Sequence, residues 1–416
     1  LNRSYNLYDG IGLFFDLILK HFFIIFGYDP KLGRLVPLFF GILSIPFLCY
    51  LSYQINKKES YLFTAFLIST NWYLISYSQE TRTYSLTFFL AIVSIIFFFK
   101  KIDNKLNKNK QLVYSTLYIL FTFLGALTHL FFFIIIISQA IFLAIQYHLY
   151  KKKIFFAFYN ILAVVVLFFI FEHHSLLLQL SIKDWWVPQV EPDFFINYFF
   201  SRFFGSKIMG TIYLLSIIYL IIRFKRVFFY NSSKYLLLII ILFMSYFLPL
   251  IYGFIFQPIL VDRYIIFALI PILLIISLFT LNLNNRKIKL FLLMVIIIST
   301  LSNNYLEIFE RKHTKPEINK ILNFLAESNT NTIYLKTAKG WENILFTYVK
   351  LTSSFKKNNF KILNINEISK NNIFWQICYQ QLNGFDCSLD KRFKKFTIKK
   401  KIKFHLIEAT LYSKNV

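Results

Sequence analysis

The chain is a succession of apolar runs separated by gaps that alternate in character: every second gap carries a cluster of lysines and arginines, and the others carry almost none. The runs lie at 35–53, 60–77, 83–99, 112–128, 130–149, 154–171, 209–222, 235–253, 264–281 and 290–303. The clusters are Lys57-Lys58, Lys100-Lys101 with Lys105, Lys108 and Lys110, Lys151-Lys152-Lys153, Arg223 with Lys225 and Arg226, and Arg286-Lys287. A bilayer is crossed by roughly 20 apolar residues in a helix, and loops rich in Lys and Arg stay cytoplasmic. The alternation predicts an α-helical polytopic membrane protein with about ten spans, since a wrong span count would break it. It sets the front segment, Glu80–Arg82, His129, the 172–207 loop, Asp262-Arg263 and everything after the last span on the outer side of the cytoplasmic membrane.

Composition decides against two other classes. Basic residues outnumber acidic ones 46 to 20, a net charge of +26, which in a soluble chain would suggest a nucleic-acid partner. Here the cations sit mostly in the loop clusters and the tail, so membrane lipids are the expected surroundings and no nucleic acid is. Only 16% of residues are charged while 57% are hydrophobic; a soluble domain is nearer a quarter charged. The chain opens Leu1-Asn2-Arg3, with neither Met nor a signal-peptide pattern, and reads as lacking its natural start.

Residues 1–34 form an outer juxtamembrane segment. Within it, Asp9, Asp16, Lys20 and His21 interrupt an apolar run at 9–27, a pattern that suits either an amphipathic helix in the outer interface or a helix packed on the bundle. Residues 35–303 form the transmembrane bundle. After it, 304–416 reads as a small extracytoplasmic α/β domain: helical spacing at 316–327 (Ile318, Ile321, Leu322, Leu325) and Trp341–Leu351, and strand patterns at Thr332–Leu335, Phe360–Ile365 and Ile373–Tyr379. That domain has no glycine-rich phosphate loop and no metal-ligand spacing. Cys378 and Cys387 share it and are either a disulfide, in an oxidising compartment, or a free buried pair. Cys49, in an apolar run, reads as a small core residue.

Charges at membrane depth or at its boundary are costly, and the densest polar set lies in one tight outer turn, Tyr77-Ser78-Gln79-Glu80-Thr81-Arg82-Thr83-Tyr84. If a helix begins near Glu80, Gln79 and Arg82 share one face and Glu80 and Tyr84 the adjacent one. A carboxylate, a guanidinium and phenols then converge on an outward cavity. Helix capping and interfacial anchoring account for the same residues without chemistry.

That turn, continued through Ser85-Leu86, resembles the Y-S-Q-E-x-R-x-Y-x-L signature of bacterial membrane glycosyltransferases with the GT-C fold, relatives of the protein mannosyltransferases and of the aminoarabinose transferase of lipid A. Gly27 followed by Arg34-Leu35-Val36-Pro37 and Gly41 resembles the family's approach to its second span. Thr128-His129 resembles a T-H between two later spans, and Asp262-Arg263-Tyr264 with Pro271 resembles the R-Y…P start of a late span. Asp9 matches the first position of a D-x-x-P-P-L-Y-Y motif whose prolines and tyrosines are absent here. The family's usual first span, with its outer loop bearing an Asp-Glu pair, is also absent.

The resemblance implies transfer of one sugar from a polyprenyl-phosphate donor to an acceptor hydroxyl of unknown kind, with inversion. A carboxylate takes the acceptor's proton, and cations or a divalent metal stabilise the departing phosphate. It makes Glu80 and Asp9 the acidic residues. Arg82 and Arg263 become the phosphate ligands, because guanidinium grips phosphate bidentately. Gln79, Tyr84 and His129 fall to substrate contact. Arg34 is either a further cation or a snorkelling residue, and His129 either a ligand or a hairpin-turn residue. Glu172-His173-His174 offers metal ligands, although three adjacent side chains diverge. Trp185-Trp186 anchor a loop in the interface or stack on lipid or sugar. A transporter would use the same charges along a pathway but shows no inverted repeat here. A catalytically inactive, lipid-binding scaffold of the cell envelope is the other reading.

Overall fold

The computed structural model describes residues 12–29, 31–56, 60–102, 107–148, 155–180, 187, 202–225, 234–310, 317–328, 330–337, 342–352, 355, 357–368, 370–379, 386–388, 395–404 and 406–414. Asp9, Trp185 and Trp186, and the side chains of His173 and His174, lie outside what it describes. The chain divides into two compact units, Leu1–Ile308 and Phe309–Val416.

The first unit is helical. A short helix, α1 (Leu13–Phe26), precedes α2 (Leu35–Ile55), α3 (Ser60–Thr70), α4 (Trp72–Ser78), α5 (Tyr84–Lys101), α6 (Lys108–Thr128), α7 (Phe133–His148), α8 (Phe155–Leu180), α9 (Lys207–Arg223), α10 (Lys234–Ile255), α11 (Leu269–Leu281) and α12 (Arg286–Tyr305). Among the described residues, seven helical stretches are long and apolar enough to cross a membrane: Leu32–Ile55, Tyr84–Lys101, Lys108–Thr128, Leu130–His148, Lys234–Ile255, Asp262–Leu281 and Arg286–Phe309. The protein is a multi-pass membrane protein. Three of the ten expected runs fall outside that set. The 60–77 run is broken at Asn71, which leaves the helix and caps α4 by accepting from the Leu74 N–H at 3.0 Å. The run at 209–222 becomes a helix of 17 residues, and α8, a helix of 26 residues, is described with its side chains only over 157–172.

Two helices form the centre. α5 and the stretch leading into and through α11 are apolar on every side, as a helix surrounded by others must be, and nearly every residue of both is buried. The surrounding helices bury one side and expose another, with Ile42 on α2 and Ile222 on α9 facing outward. Small hydroxyls tie the bundle inside. The Thr64 side chain on α3 lies 3.0 Å from that of Ser52 on α2 and 2.8 Å from that of Ser277 on α11. Tyr118 on α6 donates to Gln139 on α7 at 2.6 Å, and Gln139 donates onward to Ser94 on α5 at 3.2 Å. Cys49 is half-buried, its thiol 3.3 Å from the Tyr61 carbonyl.

The second unit contains α13 (Ile318–Ala326), β1 (Thr332–Lys336), α14 (Glu342–Leu351), β2 (Lys361–Leu363), α15 (Ile365–Ile368), β3 (Ile373–Tyr379), β4 (Phe396–Phe404) and β5 (Ile407–Lys414). The sheet order is β2-β1-β3-β5-β4, with β1 parallel to β2 and β3, and β5 antiparallel to β3 and β4. Ile318, Ile321, Leu322 and Leu325 of α13 form the helical stripe that covers Ile333, Trp375, Ile377 and Ala409 on one face of the sheet. The expected helices and first three strands are present. The β4–β5 hairpin was not expected, because a bulge between Ile398 and Lys400 and the run Lys399-Lys400-Lys401 interrupt the alternation that marks a strand.

Of the two cysteine alternatives, the structure has the disulfide: Cys378 on β3 bonds Cys387, nine residues on, with Cα atoms 5.8 Å apart. Gln376 beside it donates to the Cys387 carbonyl at 2.5 Å. Closing a loop of this length is expected to contribute about 2–3 kcal/mol by restricting the unfolded chain. Replacing Cys378 and Cys387 together by Ser should therefore destabilise this unit while leaving the helical unit's melting unchanged. Alkylation of natively expressed protein should label Cys49 alone before reduction and all three cysteines after it.

Candidate functional site

The turn between α4 and α5 holds the densest polar set, and its backbone differs from the expected one. No helix begins near Glu80. α4 ends at Ser78, residues 79–83 form an irregular turn closed by a 2.6 Å hydrogen bond from the Arg82 N–H to the Glu80 carbonyl, and α5 starts at Tyr84. The face-sharing expected of Gln79 with Arg82 is therefore absent. Arg82 instead pairs with Glu80, Nε to Oε2 at 3.8 Å. Gln79 lines an apolar crevice of about 230 Å³ between α2 and α4–α5, with Gly41, Ile42, Ser78 and Ser85 among its walls. Arg34 is exposed at the head of α2, beside this turn: a Cβ on the neighbouring Gly33 would lie 3.2 Å from the Thr81 methyl.

Three connecting segments meet. Thr83 donates its hydroxyl to the Thr128 carbonyl at 3.1 Å, and the Gly12 N–H donates to the same carbonyl at 3.0 Å. Both lone pairs of one oxygen thus tie the α4–α5 turn, the α6–α7 turn and the chain leading into α1. Gly12 is sterically required there, since a Cβ would sit 1.7 Å from the Leu127 carbonyl oxygen. The rings of Tyr84, His129 and Tyr264 gather beside this joint, with centroids 5.9 Å apart for Tyr84–His129 and 5.0 Å for His129–Tyr264. Tyr77 stands edge-on to Tyr84 at 5.1 Å, and the Arg263 guanidinium lies 5.5 Å from the Tyr264 ring centroid.

Charges complete the cluster. Asp262 accepts the Arg263 N–H at 2.9 Å through Oδ1 and pairs with Arg202 through Oδ2, 3.8 Å from its Nε. Arg263 lies in electrostatic reach of Tyr84, Tyr264, Tyr77 and Asp262, and Tyr77 in reach of Asp262, Arg263 and Glu80. The sequence-derived residues Glu80, Arg82, Tyr84, His129 and Arg263 thus share one locale, while Gln79 faces another. Arg202 and Gly12 were missed. Arg202 carries no local signature, and the requirement at Gly12 comes from a turn more than a hundred residues away.

The described cluster holds three guanidiniums against two carboxylates, which suits a phosphate more than a bare cation. Among the described residues no three His, Cys, Asp or Glu side chains gather to hold a metal ion. Glu80 and Asp262 each face an arginine instead. These residues do not assemble a divalent-metal site.

No family model and no curated relative matches the sequence. Among solved structures, ArnT from Cupriavidus metallidurans in the apo state superposes with a TM-score of 0.57 at 8% identity, covering 97% of this chain and 88% of ArnT. The same protein bound to undecaprenyl phosphate superposes at 0.50 with 10% identity and the same 97% and 88% coverage. The chain has the GT-C fold. An Archaeoglobus fulgidus oligosaccharyltransferase superposes more loosely, with a TM-score of 0.48 at 13% identity over 87% of this chain and 51% of that one, and adds nothing to the assignment.

Because a methyl group at Gly12 collides with backbone rather than with a flexible side chain, Gly12→Ala should release the Thr128 joint. Deuterium uptake in the peptide spanning 12–26 should rise markedly, with uptake in the Phe309–Val416 unit unchanged.

Proposed function

We propose that this chain is a glycosyltransferase that moves a sugar from a polyprenyl-phosphate donor to an acceptor hydroxyl at the outer face of the cytoplasmic membrane. The observation that carries the reading is the joining of three outer turns into one cluster of carboxylates, guanidiniums and phenols at the outer ends of the two central helices. Its support is the shared fold with ArnT, a protein solved with undecaprenyl phosphate bound.

In the proposed reaction the acceptor oxygen attacks the anomeric carbon from the face opposite the phosphate. The bond from that carbon to the phosphate oxygen breaks, the polyprenyl phosphate leaves with the electron pair, and a carboxylate takes the acceptor's proton. Arg82 and Arg263 would offset the charge that builds on the phosphate as it leaves. Glu80 uses Oε2 toward Arg82, which leaves Oε1 to orient the acceptor. Asp9, outside the described residues, is the proposed base.

Removing one charge stabiliser from such a site costs about 3 kcal/mol of transition-state energy, roughly a hundredfold in rate or more. Glu80→Gln and Arg82→Gln should reduce transfer from lipid-extracted polyprenyl-phosphate sugars by that order, with expression and melting temperature nearly unchanged. Arg82→Lys should rescue only in part, since an ammonium lacks the planar fork. Arg263→Gln should weaken binding of undecaprenyl phosphate, and Arg34→Gln should be milder than either. Full activity in both Glu80→Gln and Arg82→Gln would remove the site assignment.

The outer location of the cluster is part of the proposal. It rests on the alternating basic loops, and the Cys378–Cys387 bond is consistent with it, because disulfides persist in oxidising compartments. Reporters fused at residues 105 and 416 should fall on opposite sides, 105 in the cytoplasm and 416 outside. The same side for both would overturn the topology.

A further inference from the structure

His129 is buried in the turn between α6 and α7, at 1% exposure. Its Nδ1 accepts a hydrogen bond from the Phe131 N–H at 3.2 Å. A nitrogen that accepts carries no proton, so the proton of the neutral ring is on Nε2. Burial, and then the charge of Arg263, push the imidazole pKa well below its ordinary value, which keeps the ring neutral. The Nε2–H therefore points a single donor from the ring, and among the described residues that nitrogen is buried without a hydrogen-bond partner. An unmet buried donor costs about 1–3 kcal/mol, and native structures rarely keep one without a use. The tautomer also argues against a metal, because a metal at Nε2 would need that proton moved to Nδ1, where the Phe131 N–H already points.

Beside the imidazole stand the rings of Tyr84 and Tyr264, with Arg263 against Tyr264. These are the residues of the proposed transferase site. We infer that His129 acts as a neutral hydrogen-bond donor to the lipid-linked substrate, giving its Nε2–H to an oxygen of the phosphate or of the sugar it carries. This inference rests on the glycosyltransferase reading and deepens it. It adds a third kind of contact to that site, uncharged and fixed in direction by the Phe131 N–H, where the arginines supply charge.

Two substitutions separate this role from that of a turn residue. In His129→Asn the side-chain oxygen can occupy the place of Nδ1 and keep the Phe131 N–H satisfied, but the donor at the Nε2 position is gone. In His129→Gln the amide nitrogen can reach the Nε2 position, but the acceptor for Phe131 is lost. The inference predicts that His129→Asn melts close to wild type yet loses about tenfold or more in substrate binding or transfer, as expected for an unmet hydrogen bond to a charged or polar oxygen. His129→Gln should melt lower and keep activity within a few-fold of wild type.

The measurements are native mass spectrometry of undecaprenyl phosphate binding to the purified full chain, and transfer from lipid-extracted polyprenyl-phosphate sugars. Weaker binding of undecaprenyl phosphate by His129→Asn identifies a phosphate oxygen. Unchanged binding with lost transfer identifies a sugar oxygen. Wild-type binding and transfer in His129→Asn, or parallel loss of stability and activity in both variants, overturns the inference and leaves His129 as a hairpin residue. If Glu80→Gln abolishes transfer while His129→Asn does not, the inference fails alone. If Glu80→Gln and Arg82→Gln retain full transfer, the glycosyltransferase site itself fails.

Discussion

Inside a bilayer no water is present to satisfy backbone N–H and C=O groups, so the chain crosses as helices and keeps irregular backbone to the ends. That constraint decides where chemistry can be built. The two helices buried along nearly their whole length, α5 and α11, offer no side chains to the outside except at their termini. Tyr84 opens α5, and Asp262, Arg263 and Tyr264 lie in the 3₁₀ stretch that leads into α11. The cluster is thus mounted on the most deeply buried part of the bundle, although its residues belong to turns. A volume change deep in either central helix would be transmitted to the ends that carry the cluster, because close-packed interiors pass strain on instead of absorbing it.

The turns still have to be held to one another, and a single carbonyl does much of this. The Thr128 oxygen accepts from Thr83 and from Gly12, using its full acceptor capacity. The bond from Thr83 fixes the turn bearing Glu80 and Arg82 to the turn bearing His129. The bond from Gly12 fixes the residue just ahead of α1 to the same place. Each bond is modest in net energy, about 1 kcal/mol. Their value is geometric, since residues far apart in sequence acquire a common reference point. The ring contacts among Tyr77, Tyr84, His129 and Tyr264 then fill the space between the turns.

Much of this could be read in the sequence, for definite reasons. Hydropathy and charge alternation depend on runs of many residues and tolerate local exceptions, so the helical bundle and the polar tail were legible. The signature from Tyr77 to Leu86 and the isolated Thr128-His129 and Asp262-Arg263-Tyr264 segments pointed to turns that do come together. Gln79 was misplaced because the backbone between Ser78 and Tyr84 is a turn, and helical face arithmetic does not hold across a turn. Asn71 was the legible warning, a helix-capping residue set inside an apolar run. Arg202 and Gly12 were not legible at all, because each matters through a partner distant in sequence. The β4–β5 hairpin was hidden by its own lysines, which suit an exposed edge strand but mask the alternation by which strands are found.

On the proposed reading, the described part of the site is the half that serves the leaving group. Arg82, Arg202 and Arg263 supply positive charge, and the Nε2–H of His129 supplies a directed neutral donor. The carboxylates there are already engaged: Glu80 faces Arg82, and Asp262 is shared between Arg202 and the Arg263 N–H. Neither stands free as a base, so the proton of the acceptor hydroxyl falls to a group brought in from elsewhere. The Thr128 joint holds Gly12 at this place, and Asp9, the proposed base, stands three positions before Gly12 in the sequence. Charge stabilisation would then belong to turns mounted on the central helices, and proton removal to Asp9, a residue from another part of the sequence.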